Sequence, residues 1–320
     1  MIQKINIDAV LQRIANTMIL NTRKTYNTGL LEGKMGIALF LLHYSRISEN
    51  ILYSEYAEEL LDEISDKAGV WNRTIDFTNG STGVVWGIIN LIKNKLINAD
   101  EDVLEEVEIS LNNSSDSGIL YDIDNKCPFF SKGIYFLNRN NKEEIKNLLN
   151  ELILLLNQNN RALPLSYLNS ILYTLLNGCD DLKISINILE IIYVKIIDSI
   201  SNDNCTFPDI LLLTEIIEQL KQKSYAGYDY KKWGDLLNRL DYDNLTGIFN
   251  IGLYKLIFNK IEFNDSLISN KLETIYIEDH VNSIIRDVYR NLSLFNGLTG
   301  VGLTLIDYFA IIKQYSIETI

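Results

Sequence analysis

Few side chains in this sequence are suited to chemistry, and they are thinly spread. Three cysteines, Cys127, Cys179 and Cys205, and two histidines, His43 and His280, are the thiol and imidazole groups of 320 residues. The cysteines are odd in number and widely spaced, so neither a disulfide framework nor a paired zinc ribbon is indicated, and they read as reduced, mostly buried thiols. Cys205 stands apart because Cys205-Thr206-Phe207-Pro208-Asp209 sets a thiol and a carboxyl just ahead of an apolar helical run. Asp243, in Asp241-Tyr242-Asp243-Asn244, holds the same position ahead of the next run. His43 lies deep inside an apolar run and reads as a packed, hydrogen-bonded core residue. His280 follows Glu278 and Asp279 and reads as a surface cap, because acids suit the positive end of a helix. Acid–base work then falls to carboxylates or tyrosines.

The elements that must position these groups are marked by a repeated glycine motif. Gly33-Lys34-Met35-Gly36-Ile37, Gly80-Ser81-Thr82-Gly83-Val84 and Gly297-Leu298-Thr299-Gly300-Val301 each open an apolar run with helical spacing. Polar-faced helices are expected over 5–20, 52–67, 101–112, 142–157, 181–200, 229–240 and 280–291. More apolar ones are expected to begin near 33, 80, 128, 164, 208, 244 and 297, in strict alternation with the first set. Helices that are apolar round most of their circumference must be buried on several sides, so the second set forms an inner layer. Pro128, Pro164 and Pro208, the only prolines, are expected at first helical positions, where a missing N–H costs nothing. Before Gly247, Asn244 replaces the first glycine of the motif and is expected to tolerate left-handed backbone.

Composition narrows the function classes. The chain is 47% apolar, with neither a low-complexity tract nor a Pro/Gly/Ser-rich linker, and is read as one domain over 1–320. Forty-two acids against 29 bases leave a charge of −13 with no basic stripe, which excludes nucleic acid. The acidic surface serves solubility and secondarily hints at a basic peptide. The N-terminal stretch is interrupted by Lys4, Asp8 and Arg13, and no long uncharged apolar segment occurs, so a cytoplasmic protein without membrane insertion is expected.

The fold class is therefore all-α, about seven helical hairpins repeating every ~44 residues. An open solenoid needs atypical terminal repeats, whereas the first and last inner helices are the most motif-faithful, so closure into an α/α toroid is expected. One end would then collect Lys34, Asp76, Asn79, Ser81, Thr82, Lys132, Cys205, Asp209, Asp243, Asn244, Thr246, Asn296 and Thr299 around unpaired first-turn N–H groups. Such a funnel suits a peptide or a small anionic ligand. Taken singly, these Asn, Ser, Thr and Asp residues are ordinary helix caps.

The segments GLLEGKMGIALFLLHYS, DFTNGSTGVVWGIINLI and SLFNGLTGVGLTLIDYF resemble the lanthionine synthetase C-like family, the cyclases of lanthipeptide biosynthesis and their relatives. The resemblance implies an α/α toroid with zinc at one end of the barrel, held by a Cys before the fifth inner helix and a Cys-His pair before the sixth. Zinc would there activate a substrate thiol for addition to a dehydroamino acid. Cys205 matches the first ligand, but Tyr242 and Asp243 occupy the places of the pair. One thiol with Asp243 falls short of the three protein ligands that such sites recruit. The expectation is a relative acting in peptide modification that binds a precursor peptide or partner enzyme without zinc chemistry or another cofactor. Two alternatives are a thioether-forming cyclase whose altered metal site uses Cys205, and a glycan-processing α/α toroid using Asp209 and Asp243 as an acid/base pair.

Overall fold

The computed structural model describes residues 6–67, 75–99, 117–159, 161–201, 205–223, 228–240, 245–286 and 291–318. Among these the secondary structure is helical, with no strand. The helices are α1 (Ile7–Thr22), α2 (Lys34–Ser48), α3 (Ile51–Asp66), α4 (Ser81–Lys93), α5 (Ser117–Asp124), α6 (Ser131–Asn138), α7 (Lys142–Gln158) and α8 (Leu165–Gly178). They continue with α9 (Leu182–Ser201), α10 (Phe207–Lys223), α11 (Lys231–Leu237), α12 (Ile251–Ile257), α13 (Asp265–Glu273), α14 (Ile277–Arg286) and α15 (Leu298–Glu318). The outer helix expected at 101–112 lies outside the described residues.

Two layers follow from two kinds of sequence. The amphipathic helices α1, α3, α7 and α9 bury one stripe each, whereas α8 is buried at nearly every position. The apolar helices pack in the order α2, α4, α6, α8, α10, α12, α15, and α15 returns to α2, so the inner layer closes on itself. Outside it, α1 lies on α2 and α15, α3 on α2, α7 on α6 and α8, α9 on α8, and α14 on α15. Loop hydrogen bonds seal the ring at the glycine end: Leu31 N–H donates to Thr78 O at 3.0 Å and Leu294 N–H to Leu31 O at 2.6 Å. The middle is filled by Phe129, which meets Phe77, Tyr254, Phe258 and Phe295 edge-on with ring centres 5.7–6.0 Å apart.

The two layers also start their helices differently. Outer helices carry side-chain caps: Asn6, Asn50, Asn141 and Asn264 each accept from a first-turn N–H at 3.0–3.2 Å. The inner helices α2, α4, α6 and α8 are preceded by Gly33, Gly80, Phe130 and Pro164, none with a side-chain cap. In their place the preceding loop folds back onto the first turn. A Cβ on Gly36, Gly83 or Gly300 would stand 2.2–2.3 Å from the carbonyl oxygen of Leu30, Phe77 or Leu294, in each case six residues earlier. Thr82 and Thr299 donate their hydroxyls to the carbonyls of Ile75 and Leu292, in each case seven residues earlier. The motif is thus a loop-to-helix staple in which glycine admits the chain's own backbone.

Several expectations about these starts are corrected. Gly33 and Gly80 have extended backbone (φ −136° and −99°), so neither is left-handed, and a Cβ on Gly33 would stand 2.4 Å from Gly29 N. Only Gly247 is left-handed among the described glycines (φ 80°), and a 3-10 turn, Ile248–Asn250, precedes α12 there. Asn244 lies outside the described residues. None of the prolines takes a first helical position: Pro128 precedes α6 by a turn, Pro164 is the residue before α8, and Pro208 is second in α10.

Candidate functional site

At the glycine end, above the aromatic plug, lies a cavity of about 710 Å³. Its wall is assembled from the loops that precede the inner helices. Glu32, Asn79 and Asn296, each the residue before the first glycine of a motif, share this wall with Asp76, Cys205, Asp209 and Thr246. Tyr121, Cys127, Pro128, Pro164 and Phe295 supply its less polar side. The rim is held by side-chain amides: Asn27 donates to Asn79 Oδ1, Asn79 donates to Glu32 Oε2 at 3.1 Å, and Asn250 and Asn296 bond reciprocally at 2.6 and 2.9 Å. Asn296 is left-handed (φ 60°), which aims it at Asn250.

Of the residues expected at this end, Asp76, Asn79, Cys205, Asp209, Thr246 and Asn296 line the cavity. Others do not. Lys34 is buried and ion-paired with Glu63 of α3, so it points into the outer layer. Thr82 and Thr299 are spent in the staples, and Ser81 and Lys132 are buried. Asp243 lies outside the described residues. The expected crown of open N–H groups is broken at α2, α10 and α15. Lys34 and Met35 donate to Asn27 O and Thr28 O at 3.0 and 3.3 Å, Phe207 to Thr246 O at 2.8 Å, and Leu298 to Asn291 O at 2.7 Å.

Two buried carboxyls frame the site. Asp209, third residue of α10, accepts from the N–H and hydroxyl of Thr206 at 3.0 and 2.7 Å and from the Tyr254 hydroxyl at 2.5 Å. The first of these is half of a capping box, so Asp209 anchors its helix, and with both oxygens occupied it is a poor half of an acid/base pair. Burial raises its pKa despite these donors. Asp122 on α5 accepts from the N–H and hydroxyl of Ser131 at 3.0 and 2.8 Å, and burial pushes its pKa up to about 8.

Sequence reasoning placed Cys127 among inert core thiols and did not foresee it in the cavity wall. Its one signal was adjacency to Pro128, which parallels Cys205 and Pro208. Burial first, then the nearby Asp122 and Asp76, raise the Cys127 pKa, so the thiol form is favoured. Cys205 is half-buried at the opposite wall, and Cys179 is buried in the core.

The histidines stand apart from this chemistry. His43 Nε2 is buried without a hydrogen-bond partner, which corrects the expected hydrogen-bonded packing, and burial lowers its pKa to about 4. His280 is not a surface cap: it stacks on Phe249 with ring centres 4.2 Å apart and planes 11° from parallel.

A closed inner ring of helices within an outer layer, open to a cavity where the inner helices begin, defines an α/α barrel of helical hairpins. The family model for lanthionine synthetase C-like protein matches residues 3–131, the segment that carries the first two glycine motifs. Over that span the chain is similar to this family. No curated protein matches it.

The family is typically zinc-associated. Among the described residues, no three His, Cys, Asp or Glu side chains gather as a metal would require. Burial, with Asp122 and Asp76 nearby, favours the thiol form of Cys127, and neither histidine lines the cavity. Tyr242 and Asp243, expected at the places of the family's Cys-His pair, lie outside the described residues.

Proposed function

We propose that this protein is a lanthionine synthetase C-like member of a peptide-modification system that binds a precursor peptide in the cavity without zinc chemistry of its own. The cavity at the glycine end carries this reading. Its volume of about 710 Å³ is within the range of ligand sites, and its wall mixes Tyr121, Phe295, Pro128 and Pro164 with amide and hydroxyl groups. The family's peptide substrates supply the ligand class. Burial of Cys127, with Asp122 and Asp76 nearby, disfavours a thiolate nucleophile, which speaks for binding over thioether formation.

The test is equilibrium binding of a labelled peptide encoded beside the gene, followed by anisotropy. Thr246 is exposed on the cavity wall, so Thr246→Trp fills the cavity without disturbing the core. It is expected to weaken binding at least tenfold with an unchanged melting temperature. Binding that ignores this substitution, or a peptide that never binds, would overturn the reading.

A further inference from the structure

The cavity wall has fewer anion donors than the helix starts led one to expect, and more acceptors. First-turn N–H groups of Lys34 and Met35 in α2 and Leu298 in α15 are taken by carbonyls of the preceding loops, and that of Phe207 in α10 by Thr246 O from the loop before α12. Among the described residues, the carboxyls of Glu32, Asp76 and Asp209 line the wall, against the cationic side chain of Lys126. Asp209 is occupied at both oxygens by Thr206 and Tyr254, and Asp122 by Ser131.

Asp76 differs. It is 4% exposed, and its Oδ1 accepts from Asn79 N–H at 2.6 Å. Its Oδ2 accepts no hydrogen bond among the described residues and, unlike His43 Nε2, is not shut away from solvent, so it is open to the cavity that Asp76 lines. A carboxylate accepts about four hydrogen bonds, so this oxygen has capacity left for a donor. Glu32, exposed at the rim, is joined to the same cluster through Asn79. The charge of −13 would draw a cation toward such a mouth.

We infer that the cavity receives a cationic group of its peptide, a lysine ammonium or an arginine guanidinium, with Asp76 as its acceptor and Glu32 at the entrance. This rests on the reading of the cavity as a peptide site. A charge-assisted hydrogen bond to Asp76 would then set which residue of the peptide enters first.

The experiment compares two labelled peptides that differ only in having lysine or glutamine at one position. Each is titrated into wild type, Asp76→Asn and Glu32→Gln. Asn keeps the Oδ1 acceptor for Asn79 and Gln keeps an acceptor for the Asn79 amide, so both variants preserve the rim. Wild type is expected to prefer the lysine peptide by about tenfold. Asp76→Asn is expected to abolish that preference while leaving the glutamine peptide unchanged, and Glu32→Gln to reduce it by about twofold, within the range of an exposed pair. Equal affinities in wild type, or equal weakening of both peptides by Asp76→Asn, would overturn the inference. If neither peptide binds, thermal shifts with arginine amide separate the claims. Stabilisation of wild type but not of Asp76→Asn would uphold the cation site and defeat the peptide reading, and no stabilisation would defeat both.

Discussion

Gly83→Ala should destabilise the protein even though alanine is the better helix former. Replacing a helical glycine by alanine gains about 1 kcal/mol from propensity. Against this, the new methyl would stand 2.2 Å from Phe77 O and 2.9 Å from Phe77 C, so helix and loop must part by about 1 Å to reach an ordinary contact. The loop is poorly placed to yield. Phe77 N–H donates to Ser131 Oγ at 3.0 Å, and the Phe77 ring packs on Trp86 and Phe129 at 5.5 and 5.8 Å. Overpacking of this kind costs about 1–3 kcal/mol or more, and the anchored loop argues for the upper end, leaving a net loss of about 2 kcal/mol. For a chain of 320 residues that is a drop of roughly 3 °C in melting temperature. Gly234→Ala is the internal control, since nothing lies within 4 Å of a Cβ there, and it should gain up to about 1 kcal/mol. Urea unfolding of both variants, followed by circular dichroism, measures the difference. Equal midpoints for the two would refute the staple, and Gly36→Ala and Gly300→Ala should repeat the Gly83 result, because their carbonyl contacts are 2.3 Å each.

Two further outcomes are expected. Phe129→Ala, which empties the aromatic plug under the cavity, should cost about 3–5 kcal/mol in urea unfolding, and a loss below 1 kcal/mol would show that the plug does not support the ring. Asp122 has its folded pKa raised to about 8 by burial, against 3.8 as the reference, so between those values the folded state keeps a proton that the unfolded chain has released. Its contribution to stability is therefore lost as pH rises through this window, and Asp122→Asn should flatten the pH dependence of the unfolding midpoint between about pH 4 and 8. Parallel profiles for wild type and variant would contradict that assignment.

How much of this was legible in the sequence depended on the range of the interaction. The alternation of amphipathic and apolar runs followed from local periodicity, and α1, α3, α7 and α9 lie within a residue or two of their expected spans. The glycine motif was visible as a repeat that lets backbone approach closely, but which backbone comes near was not. What meets Gly36, Gly83 and Gly300 is the carbonyl of the chain's own preceding loop, and a repeat does not reveal which backbone approaches. Cys127 was passed over for a similar reason: a cysteine beside a proline looks like core until neighbouring loops are brought round it.

The sequence by itself determined an all-helical, layered chain, because helical spacing and apolar circumference are properties of single segments. Only the tertiary structure decided which way the polar groups at the helix starts point. Lys34, Thr82 and Thr299 turn away into an ion pair and loop carbonyls, while Glu32, Asp76 and Asn296 remain on the cavity wall. Those choices rest on competition for hydrogen-bond partners from segments distant in sequence, and that competition is settled only when the ring closes.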